Sequence, residues 1–296
     1  MVDRGSGRAA AALVLNALVW GLSWWPFREL QALGMHPLWA TGAVYLLSLA
    51  LMLAFRPRTL AECAGHPVLL LLGVVAGLTN VGFNWAVSIG DVVRVVLLFY
   101  LMPAWSMLLA WPLLGERPTF AGLLRLLLAL AGVAVVLDPG TGGLPWPREA
   151  ADWLALGAGF CFAFTNVLLR KLEQVPPWAR VLTMFIGGLV MASATAAAGQ
   201  AAGLVPAPML PAGGWGLAVM LGLAFLGGNI GLQYGAARLP AAATSLIMLS
   251  EIIFASVSSV ALGAAHFSPR IALGAGLILL AAFWACLPAR PREATQ

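Results

Sequence analysis

Apolar residues run along this chain in ten stretches of roughly membrane-spanning length, separated by short polar turns. The stretches cover about residues 9–27, 38–55, 68–88, 92–114, 120–137, 153–169, 181–198, 215–236, 241–262 and 271–287. A helix needs about 20 apolar residues to cross a bilayer, so the pattern predicts ten transmembrane helices, neighbours antiparallel. The longest connections lie near 138–152 and 199–214; both are rich in Pro and Gly and read as surface turns. The chain opens with basic residues and an apolar run, as a secretory leader would. That run continues into Trp24 and Trp25 with no small-residue cleavage site, so it is expected to remain as the first span.

The polar positions repeat between the two halves. "GVVAGLTNVGFNWAVSIGD" (73–91) aligns with "GLAFLGGNIGLQYGAARLP" (222–240) at an offset of 149 (222 − 73). Gly73 then meets Gly222, Asn80 meets Asn229, Gly82 meets Gly231, and Asn84 meets Gln233. Earlier, "WGLSWWPFREL" (20–30) resembles "FAFTNVLLRKL" (162–172), and Arg28 meets Arg170. Each half has five spans, an odd number, so the second copy must enter the bilayer upside down. The fold class expected is an all-α integral membrane protein with two inverted five-helix repeats, residues 9–137 and 153–287, joined by an outer loop at 138–152. Inverted repeats characterise secondary transporters, although channels can have them too.

Composition agrees with this class. The chain is 61% hydrophobic and 9% charged, whereas soluble domains carry roughly 25% charged residues. The net charge of +5 is scattered between apolar runs and gives no nucleic-acid patch. With the N-terminus in the cytoplasm, cytoplasmic segments hold eleven Arg or Lys, against Arg28, Arg148 and Arg270 outside. The positive-inside bias therefore predicts both termini in the cytoplasm. Cys63, Cys161 and Cys286 match no metal or redox spacing, and His36, His66 and His266 fall in or beside loops. No nucleophile–base set, metal ligand set or phosphate loop is present, so neither an enzyme nor a cofactor is expected.

The polar residues inside the spans are the functional candidates. Thr244, Glu251 and Ser258 lie seven apart in the ninth span and share a helix face. Glu251 is about 15 Å from the start of that span, near the bilayer midplane. An acid there is costly, by about 3 kcal/mol or more. It can be a proton- or cation-binding group, a neutral structural acid, or one half of an ion pair. The third span carries Asn80, Asn84 and Ser88 below Gly73 and Gly77; the eighth carries Asn229 and Gln233 beside Gly227 and Gly231. These amides either line a cavity or join helices, and both glycine pairs permit close approach. In the first span Asn16 and Trp20 are cavity candidates, mirrored by Phe162, Thr165 and Asn166 in the sixth. Trp24 and Trp25 read as an interfacial belt. Arg94 is expected to pair with Asp91 or to snorkel outward, the alternative being a contact with a substrate anion near the outer mouth, and Arg125 to snorkel inward. Pro103 leaves the carbonyl of Phe99 without its helical partner and predicts a kink, a candidate hinge or gate.

"YLMPAWSMLLAWPLLGERPT" (100–119) and "LSEIIFASVSSVALGAA" (249–265) make the chain resemble the ten-helix EamA-type carriers of the drug/metabolite transporter superfamily. The resemblance covers residues 9–287. The first copy keeps Pro103, Gly115 and Glu116. The second keeps Glu251 but has Ile252 where proline is common, and Ala264-Ala265 where Gly-Glu is common. The resemblance implies a proton-coupled carrier, typically an exporter, of small organic metabolites such as amino acids or amphipathic amines, in a bacterial inner membrane. It further implies a central cavity with the fifth and tenth helices at the periphery. Glu251 would be the coupling residue. The expected partners are a small-molecule substrate, protons, the lipid bilayer and, as one option, a second copy of the chain. Alternatives are a flippase for lipid-linked head groups, or a channel or scaffold.

Overall fold

A computed structural model describes residues 4–115, 119–138, 146–209, 213–236, 238–239, 244, 247–265 and 268–286. The helices are α1 (Arg4–Leu22), α2 (Trp24–Ala32), α3 (Pro37–Phe55), α4 (Thr59–Glu62), α5 (Val68–Ile89), α6 (Val92–Phe99), α7 (Met102–Leu114), α8 (Phe120–Leu137), α9 (Ala150–Lys171), α10 (Pro177–Ala201), α11 (Gly214–Ala236), α12 (Ser250–Ala261) and α13 (Pro269–Cys286). No strand occurs among the described residues. Eight stretches are long and apolar enough to cross a membrane, the first being Gly7–Ala32, and Ser250–Ala261 and Pro269–Ala281 are shorter apolar helices. Among the described residues these eight and the two shorter helices fall on the ten expected stretches, the last two being shorter than a full span.

Three predicted spans are broken, and local chemistry accounts for the breaks. In the first, the helix turns at Ser23, whose hydroxyl and backbone N–H both donate to Trp20 O, at 2.8 and 3.2 Å. Pro26 lacks the N–H that would reach Leu22 O, so α1 ends there. In the fourth, α6 stops at Phe99, and α7 restarts at Met102 with Pro103 in its first turn, where proline is tolerated. The side chain of Pro103 itself lies outside the described residues. The expected interruption at Phe99 is present. Its carbonyl packs against α9, where a Cβ on Gly159 would sit 2.6 Å from Phe99 O. The ninth span is the correction. A turn at Leu249 separates Thr244 from α12, so Thr244, Glu251 and Ser258 do not lie on one continuous helix. There is no proline at this break. Instead the Ser250 hydroxyl donates to Ile247 O at 2.7 Å, a side-chain bond that competes with the helix. Tyr100 and Leu249, the two break positions, are 149 residues apart (249 − 100), the offset that aligns the halves.

Packing between the halves is reciprocal. The third helix of the first half, α5, lies on α9 and α10; its counterpart α11 lies on α1 and α3. The aligned glycines make these contacts. A Cβ at Gly82 would be 3.0 Å from Leu154 O of α9, and one at Gly231 would be 2.7 Å from Ala12 O of α1. Gly73 meets Thr183 of α10, and Gly222 meets Leu47 of α3. Gly77 also packs on α10, but Gly227 meets nothing within 4 Å. The close approach expected of the Gly227/Gly231 pair is made by Gly228, Gly231 and Gly235 instead. Helices α8 and α13 pair chiefly with each other through Gly132 and Gly274.

Arginines join helix ends at one end of the bundle. The Arg94 guanidinium takes Asp152 as its hydrogen-bonded acid, with Asp91 attracting it through space. Asp91 caps α6 by accepting from the Arg94 backbone N–H at 2.9 Å. The Arg94 guanidinium reaches Asp152 of α9 with two donors, Nε to Oδ1 at 2.7 Å and Nη2 to Oδ2 at 2.9 Å, and Val136 O of α8 at 2.9 Å. Asp152 is 1% exposed and also accepts from the backbone N–H groups of Arg148 and Glu149. Arg270 of α13 donates to Asp138 O at 2.9 Å. Arg125 lies over the Trp284 ring, 5.5 Å from its centroid, rather than reaching for the interface. On the turn before α3, His36 Nδ1 accepts from Leu38 N–H at 3.3 Å. Burial lowers its pKa, which favours the neutral ring that this bond needs.

Two substitutions test this packing. Gly77→Ala puts a methyl 2.6 Å from Met191 Cγ and should destabilise by about 1–3 kcal/mol, the usual cost of overpacking. Gly227→Ala should be neutral or stabilise by up to about 1 kcal/mol, as alanine does in an open helical position. Thermal unfolding in detergent ranks the two. Asp152→Ala strands a largely buried Arg94 and should cost about 3–5 kcal/mol, seen as loss of monodisperse protein after extraction.

Candidate functional site

Glu251 stands in the first turn of α12, immediately after the Leu249 break, and is 8% exposed. Its backbone is held by helix one: a Cβ on Gly21 would lie 2.8 Å from Glu251 O and 2.7 Å from Phe254 Cβ. Only glycine at position 21 lets α1 approach α12 this closely. Tyr100, at the break of the fourth span, donates its hydroxyl to Glu251 Oε2 at 3.1 Å and also lies 3.4 Å from Met248 O. Among the described residues no cation pairs with Glu251, and its second oxygen has no hydrogen-bond partner. Two broken helices from opposite halves therefore meet across one tyrosine–glutamate bond.

Asn16 completes this locus from α1. It is 1% exposed, and its Nδ2 donates to Met248 Sδ at 3.5 Å. Its Oδ1 is buried without a partner, facing α11, where a Cβ on Gly228 would lie 3.2 Å away. Trp20, one turn on, is half-buried, with its ring centroid 4.5 Å from that of Phe225. Phe225 also faces Phe27 and Tyr45. Thr244 is half-buried, and its hydroxyl oxygen has no partner. Trp24 overturns the belt expectation. It is 3% exposed, and its Nε1 donates to Ser258 of α12 at 3.0 Å; Trp25 is the exposed one.

The amides of α5 belong to a different contact. Asn80 Oδ1 accepts from the Tyr45 hydroxyl at 2.6 Å, and its Nδ2 donates to Ala76 O. Asn84 Nδ2 donates to Thr41 Oγ1 at 3.1 Å, leaving Oδ1 buried and unpaired. The Tyr45–Asn80 and Asn84–Thr41 bonds join α5 to α3, while the Asn80 Nδ2 bond returns to its own helix. Asn229 is half-buried and bonds back to Phe225 O of its own helix. Asn166 is half-buried on α9 beside Thr165, whose buried hydroxyl is unpaired. The side chain of Gln233 lies outside the described residues. The proposed set thus divides: Asn16 and Glu251 gather where α1 meets α12, Trp20 packs on Phe225 of α11, and Asn80 and Asn84 tie α3 to α5.

Sequence reasoning missed Tyr100 and Met248. Tyr100 did carry a signal, a phenol within an apolar run, two residues before the position aligned with Glu251. Met248 is apolar and signals nothing until the break exposes its carbonyl. Among the described residues no group of His, Cys, Asp or Glu could hold a metal.

Relatives extend this picture. A protein of Haemophilus influenzae named as an uncharacterized transporter is 31% identical over 126 residues. That match covers 42% of this chain and 39% of the relative, so it spans well under half of the relative's length. A solved crystal structure shares the fold with a TM-score of 0.61 at 21% identity, over 94% of this chain and 96% of that one. The model of the EamA-like transporter family matches residues 7–138 and 150–287. Helices that can span a bilayer run through both matched segments, and the protein belongs to the EamA-like transporter family of multi-pass membrane proteins.

Proposed function

We propose that the protein is an alternating-access secondary carrier of small organic solutes, in which Glu251 meets either a proton or a cationic substrate group. One observation carries this reading: a buried carboxylate at a helix break whose only bond among the described residues comes from Tyr100. A hydrogen bond to a charged group contributes about 1.5–3 kcal/mol. A charge at the bilayer centre costs about 3 kcal/mol or more. One hydroxyl does not comfortably offset that cost, so a second partner completes the site. A proton and a substrate ammonium can each serve, and they compete for the same oxygens. Such competition is the basis of exchange. With an inward proton gradient it drives export.

The surroundings narrow the substrate class. Asn16 Oδ1 offers an unpaired acceptor to an ammonium N–H, and Trp20 with Phe225 offers an aromatic wall. Amino acids and amphipathic amines carry both features. The matched break positions and reciprocal glycine contacts support two inverted five-helix repeats, 9–137 and 153–287. Discontinuous helices at a repeat interface are where such carriers bind their substrates. We take the protein to act in a bacterial inner membrane with both termini cytoplasmic.

Purified protein in liposomes, assayed by counterflow with labelled amino acids and amphipathic amines at two pH values, tests the reading. At least one solute should show saturable, pH-dependent exchange. Glu251→Gln keeps an acceptor for Tyr100 but loses the charge. It should cut that exchange by about 10–100-fold, the equivalent of one charge-assisted bond. Full pH-dependent exchange in Glu251→Gln would remove Glu251 from the mechanism.

A further inference from the structure

Arg28 has no role in the solute site, yet it is one of the most connected side chains in the bundle. It projects from α2 and donates Nε to Val87 O at 2.9 Å and Nη2 to Gly90 O, with a longer Nη1 contact to Ala264 O at 3.5 Å. Its guanidinium carbon lies 5.5 Å from the centroid of the Trp24 ring, which itself bonds Ser258. Val87 and Gly90 end α5; Ala264 follows the C-terminus of α12. These carbonyls have no next turn of helix to bond, and helix C-termini attract a cation. A planar fork with five donors suits three such acceptors, as a lysine would not. One side chain therefore ties the ends of the first, third and ninth spans.

This tie closes over space. A cavity of about 570 Å³ lies beside it, lined by Arg28, Gln31, Ser88, Asp91 and Ala264 among others. Deeper along α2 is Ser23, 2% exposed, at the break that leads down to Asn16 and Glu251. The same end carries the Arg94 and Arg270 ties between α6, α8, α9 and α13. At the other end of α3, the described polar contacts between helices are weaker: Arg180 reaches Leu169 O at 3.3 Å, and Cys63 Sγ lies 3.8 Å from Ala179 O.

The geometry points to Arg28 as a gating residue: its guanidinium latches α2, α5 and α12 together and holds this end of the carrier shut, and opening toward this side requires it to leave the carbonyls of Val87, Gly90 and Ala264. Of these helices α2 is the short one, and it runs on from α1 through the turn at Ser23. The inference rests on the alternating-access reading but not on the role given to Glu251. Arg170, which the repeat aligns with Arg28, is exposed on α9 at the opposite end of the bundle and supplies a control.

The test measures thiol accessibility and needs no substrate. In a Cys161→Ala, Cys286→Ala background, Ser23→Cys reports opening of this end, and native Cys63 reports the other. A water-soluble maleimide is added to protein in detergent, and labelling at each site is read by peptide mass spectrometry. Arg28→Gln should raise the Ser23→Cys rate about tenfold, as when opening no longer breaks a charge-assisted bond. Cys63 should keep its rate, and Arg170→Gln should not raise that of Ser23→Cys. An unchanged Ser23→Cys rate in Arg28→Gln overturns the latch. So does an equal rise at Cys63, which signals general loosening, or a rise in Arg170→Gln. If Arg28→Gln cannot be purified folded, Arg28→Lys carries the test, since it keeps the charge but lacks the planar fork that reaches three carbonyls. It should raise Ser23→Cys labelling severalfold with Cys63 unchanged, and no rise overturns the proposal. Selective opening together with Glu251→Gln that exchanges normally would keep the latch and discard Glu251.

Discussion

A backbone carbonyl freed inside a bilayer has no water to bond, and each irregularity in this fold is organised around that constraint. Three spans break, at Ser23, Tyr100–Leu101 and Leu249, and each break releases carbonyls that protein groups must answer. Ser23 and Ser250 return their hydroxyls to Trp20 O and Ile247 O. Gly159 lets α9 close over Phe99 O, and Tyr100 approaches Met248 O. Arginine answers the helix ends: Arg28 at Val87 and Gly90, Arg94 at Val136, Arg270 at Asp138. Among the described residues Arg28, Arg94 and Arg270 thus each donate to a helix-end carbonyl, and Arg94 and Arg270 pair with an acid as well.

The two buried acids show what this accounting separates. Asp152 receives two guanidinium donors and two backbone N–H groups, and Arg94 in turn reaches Val136 O. Every strong demand there is met, so the pair fixes α6, α8 and α9 against one another. Glu251 is nearly as buried but receives one tyrosine hydroxyl. The two differ in the count of donors and in place: Asp152 sits in the first turn of α9 at the end of the bundle, Glu251 at a break inside the ninth span. A fully bonded acid is a joint; a sparsely bonded one at a helix break is a place where a proton or ligand gains most.

What could be read in advance follows the range of each interaction. Spans, glycine contacts on α5, the interruption at Phe99 and the placement of Glu251 within a span depend on residues close in sequence, and the apolar pattern carries them. The Arg94–Asp152 pair joins residues 58 apart, and no local rule chooses Asp152 over Asp91, three positions away. Trp24 looks like an interfacial tryptophan because spacing cannot show that α12 supplies Ser258. The Leu249 break was hidden because proline is its usual sign, and here a serine hydroxyl does the work. Asn80 and Asn229 align between the halves and each returns its Nδ2 to the carbonyl four residues back, Ala76 O and Phe225 O; Asn80 also accepts from Tyr45 of α3, a bond the alignment does not foretell.

That last divergence bears on how a near-symmetric scaffold can work in one direction. Several glycine contacts and break positions recur in both halves. Across helices the polar groups recur less. Met102 stands at the position aligned with Glu251, and among the described residues the cross-helix arginine ties lie mostly at the end where α2, α5 and α12 finish. In the alternating-access reading proposed above, symmetric packing would lower the difference between two arrangements of the bundle, and asymmetric charge would decide which is populated. A few hydrogen bonds to arginine, each worth about 1.5–3 kcal/mol, are enough to shift such a balance by several orders of magnitude. They also remain within reach of a single protonation or ligand-binding event elsewhere in the bundle.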